Sequence, residues 1–329
     1  MHYYQSPNFN SSTKRFENTN GERNERKILE VLKVAAKYFG RNYDEWEKKG
    51  FPSIYSSKEE LTNFSENVMW VGHSTLMINH KGKTILTDPH FSERAGPFGV
   101  MGPKRITPPP FNIEDLPKID IILISHNHFD HLDKQSIVNL VKRQPNVKFF
   151  VPLGLSKILG SFGAKNIIEI DWWQSVDYEG IDIQATQVQH WSRRSLFDRN
   201  KTLWSGWMLR WNDFSFYFAG DSGYSNDFLR TAERCGNPTL AAIPIGSYEP
   251  KEFMKAAHMS PDDAVRAFQD IGAKYAIGIH WGTFKLSLEV MDEPPSRLTK
   301  SLKRAGISDK KFKCLQHGEK WDQPLRLYS

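Results

Sequence analysis

Apolar residues along the chain fall into short, often β-branched runs that end in Gly, Pro, Asn or Asp. Such runs predict strands, whereas apolar residues at every third or fourth position predict helices. We predict strands at 67–71, 75–79, 84–87, 119–124, 147–151, 167–170, 181–188, 203–211, 214–219, 239–245, 275–279 and 311–315. We predict helices at 25–39, 134–143, 153–163, 226–235, from 261 onward and at 294–305. This mixture is typical of a layered α/β fold.

The predicted strand at 119–124 ends in a dense cluster of ionisable side chains. His126, His128, Asp130 and His131 follow it, and burying them without partners would be costly. Neutral imidazoles and carboxylates are ligands for zinc and similar ions. In an extended segment His126 and His128 point the same way and can reach one ion. Asp130 and His131 lie where the chain turns and can reach a second ion, as in two-metal hydrolases. A surface histidine cluster or an aspartate helix cap is the alternative.

Further potential ligands lie at the exits of other predicted strands. His190, Asp221 and His280 each follow the end of such a strand. A layered sandwich of sheets and helices can bring ligands from several strand ends together in one cleft. Each residue also has a simpler interpretation, since a lone histidine is common and Asp221 can cap the helix at 226–235.

The composition is that of a globular protein rich in aromatic residues. Of the 329 residues, 39% are hydrophobic, 25% charged and 13% aromatic. The net charge of +6 permits attraction to phosphate groups or to an anionic membrane surface, and no nucleic-acid-binding signature is present. Cys235 and Cys314 are far apart and predict free thiols. We find neither a secretory signal nor a membrane-spanning run, so we expect a cytoplasmic protein and leave attachment to a membrane surface open.

The first 60 residues predict a unit in front of a main domain at 61–329. Residues 1–24 are polar and predict a loose arm. Residues 25–39 place apolar side chains at helical spacing with lysines mostly off that face, which predicts a basic amphipathic helix. We expect this helix to pack its apolar face on the domain at 61–329, with docking on a membrane as the alternative.

The sequence His126-x-His128-x-Asp130-His131 after a hydrophobic strand resembles the signature of the metallo-β-lactamase superfamily. Longer matches narrow the resemblance to the N-acyl-phosphatidylethanolamine phospholipase D branch. They are Trp70-Val71-Gly72-His73-Ser74-Thr75, Thr87-Asp88-Pro89, Met101-Gly102-Pro103-Lys104-Arg105, Gln189-His190-Trp191-Ser192-Arg193-Arg194, Gly220-Asp221-Ser222-Gly223 and Pro244-Ile245-Gly246-Ser247-Tyr248-Glu249-Pro250. The resemblance covers about residues 60 to 320. It implies an α/β fold, a metallo-β-lactamase-like four-layer αβ/βα sandwich with two mixed β-sheets and outer helices.

The resemblance also implies which residues hold metal. The first ion takes His126, His128 and His190, the second takes Asp130, His131 and His280, and Asp221 bridges the two. Oxygen and imidazole ligands without thiolate suit two Zn²⁺ ions, and Mn²⁺ or Fe²⁺ fit the same ligands. Asp88 and His73 are implied to hold the ligand loop in place, although a turn-forming role is the simpler interpretation of both.

Four residues are candidates for contacts with substrate. Arg193 and Arg194 follow a potential ligand, and their planar guanidinium groups suit phosphate, with structural salt bridges as the alternative. In the resembled branch a histidine at the position of His258 faces the cleft, where it contacts substrate or assists a proton transfer. Tyr248 lies in a motif of the branch and is assigned to the same cleft. Asp130 and His258 are the two residues to which the resemblance assigns catalytic roles.

The resemblance implies a zinc-dependent phosphodiesterase of the phospholipase D type in lipid metabolism. Activated water would attack the phosphorus of N-acyl-phosphatidylethanolamine and yield an N-acylethanolamine and phosphatidic acid. A phospholipid substrate at a membrane surface gives the aromatic surplus and the basic helix a purpose, and a homodimer is left open. The alternatives are a lactonase or esterase of the same fold that acts on a small soluble substrate, and a non-enzymatic metal or lipid binder.

Overall fold

Two mixed β-sheets form the centre of the computed structural model, which describes residues 5–42, 44–63 and 65–325. Residues 1–4 of the predicted arm and residues 326–329 lie outside the described part. The strands are β1 (Phe9–Asn10), β2 (Arg15–Phe16), β3 (Asn67–Gly72), β4 (Thr75–His80), β5 (Lys83–Thr87), β6 (Ile121–Leu123), β7 (Lys148–Pro152), β8 (Ile167–Ile170), β9 (Ser175–Tyr178), β10 (Ile181–Thr186), β11 (Gly206–Arg210), β12 (Ser215–Phe218), β13 (Leu240–Pro244), β14 (Tyr275–Ile279), β15 (Phe312–Lys313) and β16 (Lys320–Trp321). All twelve predicted strands overlap one of these.

Helices flank the sheets. They are α1 (Ile28–Gly40), α2 (Glu45–Lys49), α3 (Lys58–Thr62), α4 (Lys134–Arg143), α5 (Ser156–Ser161), α6 (Asp227–Cys235), α7 (Lys251–Met254), α8 (Pro261–Ile271) and α9 (Glu293–Arg304). The start of helix α8 could be predicted because the residues that cap it are recognisable in the sequence. Ser260 precedes Pro261, and its side chain accepts a hydrogen bond from the backbone N–H of Asp263 at 3.3 Å, so an otherwise unpaired donor is satisfied.

The two sheets have the same internal plan. The first has the strand order β16-β3-β4-β5-β6-β7-β8 and the second β15-β14-β13-β12-β11-β10-β9. In the first sheet the strands from β16 to β5 are antiparallel and those from β5 to β8 are parallel. In the second sheet the strands from β9 to β12 are antiparallel and those from β12 to β15 are parallel. Both sheets are therefore mixed, as expected.

Strand β3 shows how the layers are held together. Successive side chains of a strand point to opposite faces, so Val68 and Trp70 lie in the core between the sheets. Met69 and Val71 lie in a second core under α4 and α5. Helices α6, α8 and α9 add Phe228 and other apolar side chains to the core of the second sheet. Helices outside two facing sheets confirm the predicted four-layer sandwich.

The arm at the N-terminus is not loose in its described part, which corrects the prediction. Strands β1 and β2 pair, and Phe9 and Phe16 pack edge to face with ring centroids 5.1 Å apart. Both lie in an apolar cluster with Trp172 and Trp204. Full burial of one phenylalanine is worth about 1.5–3 kcal/mol, so two aromatic residues can anchor an otherwise polar segment.

Helix α1 forms where it was predicted, but its apolar face is not packed into a core. None of its residues is buried, and Ile28 and Phe39 are 78% and 83% exposed. The helix is fastened near its end, where the Tyr38 hydroxyl donates to the backbone carbonyl of Lys285 at 2.7 Å. This attachment holds the helix over the domain without covering its outer face. The division of the chain at residue 60 stays a prediction.

Candidate metal centre

The predicted ligands meet at one edge of the molecule because the strands that carry them end there. Strand β6 of the first sheet leads into the segment from His126 to His131. In the second sheet, β10 and β12 both pair antiparallel with β11, so their carboxyl ends share an edge. Strand β14 joins that edge through parallel pairing with β13. His190, Asp221 and His280 follow these three strands, so the fold collects ligands from both sheets.

Three histidines form the first cluster, as expected. His128 Nδ1 lies 2.7 Å from His126 Nε2 and 3.2 Å from His190 Nε2. Ligand nitrogens at 2.0–2.1 Å from one tetrahedral zinc ion are separated by roughly 3.3 Å. The observed separations are close to this value. The three nitrogens therefore fit a single cation.

Asp130, His131 and His280 form the second cluster, and His73 joins them. Asp130 Oδ2 lies 3.3 Å from His131 Nε2, 3.4 Å from His280 Nε2 and 3.1 Å from His73 Nε2. Ligand atoms of all four residues lie within 4.8 Å of one another. His73 was expected to support the loop only, and the structure brings its ring nitrogen to the ligand carboxylate itself.

Asp221 lies between the two clusters. Its Oδ2 is 3.1 Å from His131 Nε2 and 3.2 Å from His280 Nε2 in the second cluster. The same oxygen is 3.7 Å from His190 Nε2 in the first. Its Oδ1 is buried without a hydrogen-bond partner among the described residues. The position suits a carboxylate that bridges two cations. It is not the cap of α6, whose capping position is Asn226.

The charges of the centre call for a cation. Burial alone lowers the pKa of His280, but the carboxylates of Asp221 and Asp130 outweigh it and raise that pKa to about 9. Burial likewise lowers the pKa of His131, and the same two carboxylates raise it well above its ordinary value. Burial raises the pKa of Asp221, while His131 and His280 lower it well below the ordinary range. Two buried carboxylates thus demand nearby positive charge.

Unpartnered atoms point to the same conclusion. Asp221 Oδ1, His131 Nε2 and His280 Nε2 are buried without a hydrogen-bond partner among the residues described. The last two lie within ion-pair distance of carboxylates, yet they are not aligned for hydrogen bonds. Buried polar atoms without partners are costly unless an ion or water satisfies them. The donor set of imidazoles and carboxylates fits divalent metal ions.

Comparison with known proteins agrees with this geometry. Residues 83–281 match the family described as "Beta-lactamase superfamily domain". The chain belongs to the metallo-β-lactamase superfamily. It is 38% identical over 265 residues to N-acyl-phosphatidylethanolamine-hydrolyzing phospholipase D 1 of Caenorhabditis elegans, covering 77% of this chain and 74% of that protein. It is 39% identical over 257 residues to the mitochondrial N-acyl-phosphatidylethanolamine-hydrolyzing phospholipase D of Saccharomyces cerevisiae, covering 76% of this chain and 54% of that protein.

A solved structure with the same fold is the isothiocyanate hydrolase from Delia radicum gut bacteria. Its TM-score is 0.60 at 19% identity, and the alignment covers 78% of this chain and 98% of that chain. At this identity the likeness shows the fold alone. The sequence relatives place this superfamily member in the N-acyl-phosphatidylethanolamine phospholipase D-like branch, and it is a metal-dependent hydrolase.

Asp88 supports the ligand loop of this hydrolase. Its Oδ2 accepts hydrogen bonds from Ser125 Oγ at 2.5 Å and from His131 Nδ1 at 2.7 Å. Its Oδ1 accepts from the backbone N–H of Ser125 at 2.7 Å. A hydrogen bond at Nδ1 fixes the tautomer of His131 and leaves Nε2 available to a cation. Ser125, which had not been singled out, also lies 2.9 Å from His126 Nδ1.

The N-terminal arm contributes a contact that the sequence did not reveal. Asn18 Nδ2 donates to the backbone carbonyl of His190 at 3.0 Å, and the backbone N–H of His190 donates to Asn18 Oδ1 at 3.2 Å. The His190 ring is fixed separately, because its Nδ1 lies 3.0 Å from the carbonyl of Ala257. The signal was weak, since one asparagine in a polar segment has no periodicity or motif.

His258 lies at the boundary between the metal centre and a large cavity. Its Nδ1 is 3.8 Å from Asp221 Oδ2, and its ring centroid is 5.3 Å from that of His280. Potential ligand atoms of these three residues lie within 4.8 Å of one another. The structure therefore places His258 near the cleft as expected, and also close enough to be a further metal ligand.

The other three candidates for substrate contacts have different surroundings. Arg193 lines the cavity. Arg194 does not, because its Nη1 donates to the backbone carbonyls of Asn127 and Leu132, each at 2.8 Å. These bonds support the ligand loop, and the expected role of Arg194 in phosphate binding stays a prediction. Tyr248 is buried beside the cavity-lining residue Glu249, with Arg297 Cζ 5.0 Å from its ring centroid, and its contact with substrate stays a prediction.

The cavity next to His258 has a volume of about 1120 Å³. Val34 and Ala35 of α1, together with Phe253 and Met254, give it apolar walls. Basic side chains make up much of the remaining lining. A cavity of this kind can hold a large amphiphilic molecule with one end at the metal centre.

In the part of the chain that the structure describes, every helix is too short or too polar to cross a bilayer.

Proposed function

We propose that this hydrolase is a dinuclear-metal-dependent phosphodiesterase that cleaves N-acyl-phosphatidylethanolamine in the manner of a phospholipase D. The observation that carries the proposal is the arrangement of two ligand clusters joined by Asp221 beside a large, partly apolar cavity. The relatives named for this activity support it at 38% and 39% identity. The products would be an N-acylethanolamine and phosphatidic acid.

The first cluster would hold one cation and the second cluster another, with Asp221 in contact with both. Divalent cations held there would supply Lewis acidity, which lowers the pKa of a water molecule and neutralises charge on phosphate oxygens. We favour zinc because the ligands are imidazoles and carboxylates. Mn²⁺ and Fe²⁺ accept the same ligands, and metal analysis distinguishes the three.

The proposed reaction is a displacement at phosphorus. The oxygen of water forms a bond to phosphorus, and the bond between phosphorus and the oxygen of the N-acylethanolamine breaks. The proton lost by the water ends on that leaving oxygen. Asp130 Oδ2 lies among three imidazoles and can orient the water. The His258 imidazole, which lines the cavity beside Asp221, can carry the proton to the leaving group.

The exposed apolar residues around the cavity support substrate uptake from a membrane surface. Phe39 lines the cavity and is nevertheless 83% exposed, and it lies on the same helix as exposed Ile28. Phe197, 79% exposed, lies in the chain between Arg193 and another cavity-lining arginine, Arg199. Exposed apolar side chains with basic neighbours are typical of surfaces that bind anionic lipid. We therefore propose peripheral attachment to membranes through this region.

The test is hydrolysis of a diacyl N-acyl-phosphatidylethanolamine in mixed micelles by the purified, metal-loaded protein. We expect the wild-type protein to release N-acylethanolamine and phosphatidic acid, and His128→Ala and Asp130→Asn to lose this activity with little change in circular dichroism. Asp120→Asn is the matched control, because Asp120 lies before β6 and contacts Thr84 and Lys118 rather than the metal centre. Near-full activity of either ligand variant, or turnover of simple lactones with none of the phospholipid, would contradict the proposal.

A further inference from the structure

The cavity wall carries far more positive charge than one phosphodiester requires. Among the residues that the structure describes, it includes eight lysine or arginine side chains and two carboxylates. One of these carboxylates, Glu47, forms an ion pair with Arg41 at 2.8 Å. A phosphodiester has a single negative charge, and at the proposed site the metal centre would already neutralise it. The excess of basic side chains therefore needs another explanation.

Arg26, Arg193 and Arg199 are three of the five basic cavity residues that have no ion-pair partner among the residues that the structure describes. Their identified hydrogen bonds go to backbone carbonyls instead. Arg26 Nη1 donates to Glu25 O at 3.3 Å and Arg193 Nε to Ser195 O at 2.7 Å. A guanidinium group has five N–H donors. Most N–H donors of these three side chains therefore have no partner in the described part of the chain.

Arg199 is held in place rather than free in solvent. Its Nη2 donates to the backbone carbonyls of Arg23 at 3.1 Å and Asn24 at 2.8 Å. Its Cζ lies 4.5 Å from the ring centroid of Trp191, so the guanidinium group is in range of a cation–π contact. Burial, followed by repulsion from Arg193, Arg15 and Arg26, lowers the pKa of Arg199, while Glu25 opposes the shift. A guanidinium group held beside other cations attracts an anion.

The Trp191 ring lies between Arg199 and the metal centre. Its ring lies 4.4 Å from the ring of the potential ligand His128, measured between centroids. Its contact with Arg199 comes from the same indole. One aromatic ring thus separates Arg199 from the first ligand cluster. The apolar side chains of Val34 and Phe253 share the cavity with them.

We propose that Arg26, Arg193 and Arg199 form a second phosphate-binding subsite in the cavity, separate from the metal centre, which binds the phosphate group of an anionic lipid. Arginine is suited to phosphate because its planar fork matches two oxygens at once. The apolar walls favour a lipid as the carrier of that phosphate over inorganic phosphate. The subsite does not depend on which bond the metal centre cleaves.

Calorimetry on the metal-loaded, full-length protein tests the subsite. Inorganic phosphate and a soluble short-chain phosphatidic acid serve as separate ligands. The variants are Arg26→Gln and Arg199→Gln, and the matched control is Arg234→Gln, since Arg234 lies 4.7 Å from the ring of Trp173 but does not line the cavity. Zinc content of every preparation is measured, so a damaged metal centre is distinguished from a missing subsite.

We expect each cavity variant to bind the short-chain phosphatidic acid about 10-fold more weakly than the wild-type protein, because it loses charge-assisted hydrogen bonds to the phosphate. The Arg234→Gln control should bind it like the wild type. Tighter binding of the lipid than of inorganic phosphate supports a lipid subsite, and equal binding overturns the lipid part.

Wild-type affinity in Arg26→Gln at normal zinc content overturns the subsite itself. This variant is the decisive one, because Arg26 contacts the carbonyl of the adjacent Glu25 and the ring of Phe253, 5.1 Å from its centroid, rather than a metal ligand.

Discussion

Asn18 connects the N-terminal arm to a ligand of the proposed metal centre, and replacing it by leucine tests that connection. The side chain of Asn18 pairs with both the backbone N–H and the backbone carbonyl of His190. It also donates to the carbonyl of Glu22 at 2.8 Å, which closes the arm on itself. Leucine has the same branched arrangement of side-chain heavy atoms as asparagine but can neither donate nor accept a hydrogen bond. Asn18→Leu therefore removes the pairing while it keeps the branched shape.

The expected loss of stability follows from the atoms left behind. His190 is fully buried, so its backbone N–H and carbonyl would lose their partners where water has little access. An unsatisfied buried polar group costs about 1–3 kcal/mol, so two such groups give a loss of about 2–6 kcal/mol for Asn18→Leu. The free energy of unfolding of a native protein is about 5–15 kcal/mol, so we expect most of the variant to remain folded.

The effect on metal binding distinguishes a positioning role from simple stabilisation. Residues that orient metal ligands typically change metal affinity about 10–100-fold when they are replaced. We expect a decrease of this size in the zinc affinity of Asn18→Leu, measured by competition with a chelator of known affinity. Urea unfolding in the presence and absence of zinc gives the stability from the same samples.

Asn10→Leu is the control from the same arm. Asn10 Nδ2 donates to Glu17 at 3.1 Å, and its Oδ1 accepts from the backbone N–H groups of Ser12 and Thr13. All of these contacts stay inside the arm. This variant should keep the zinc affinity of the wild type. If Asn18→Leu loses stability and yet binds zinc like the wild type, the arm is only a structural support and the reasoning about His190 is wrong.

Three further perturbations address other parts of the structure. Gly220→Ala should lower the free energy of unfolding by about 3 kcal/mol, because φ is +59° and the new Cβ would lie 2.6 Å from Ser125 Cβ. Gly180→Ala, at φ +82° with open space, should cost only about 1–2 kcal/mol in the same urea titration. Asp88→Asn should lower zinc affinity about 10–100-fold in chelator competition, and an unchanged affinity would remove its role in orienting His131. Leu32→Glu, on the exposed face of α1, should weaken sedimentation with anionic vesicles about 10-fold and change stability by less than about 0.5 kcal/mol.

The strands and the ligands at their ends could be predicted because the signals for both are local. Ile121–Leu123 is apolar and β-branched, and the histidines and the aspartate that follow are adjacent in sequence. Strand β9 was missed because its four residues, Ser175–Tyr178, are half exposed and half partly buried, with no apolar run. Strand β16 was missed for another reason, since its two residues pair with β3 from the far end of the chain.

The packing of the N-terminal arm and of helix α1 could not be predicted, because it depends on contacts between distant parts of the chain. The arm was predicted to be loose because its composition is polar, yet Phe16 is buried against residues more than 150 positions later. Helix α1 was expected to bury its apolar face because amphipathic helices usually do. The structure instead turns Val34 and Ala35 toward the cavity and leaves Ile28 and Phe39 exposed. An amphipathic pattern identifies the apolar face but not the surface that covers it.

The two adjacent arginines show how far a motif can be interpreted. Both were assigned to phosphate because each has the same guanidinium group. Successive side chains in an extended segment point to opposite sides, so two neighbours cannot both face one ligand without a turn. Asn127 separates their roles, because its Oδ1 accepts from the backbone N–H of Arg193 at 2.8 Å and its carbonyl accepts from the side chain of Arg194 at 2.8 Å. Arg193 is thereby directed to the cavity and Arg194 to the ligand loop. The geometry of one loop, rather than the residue type, therefore decides which arginine faces the cavity.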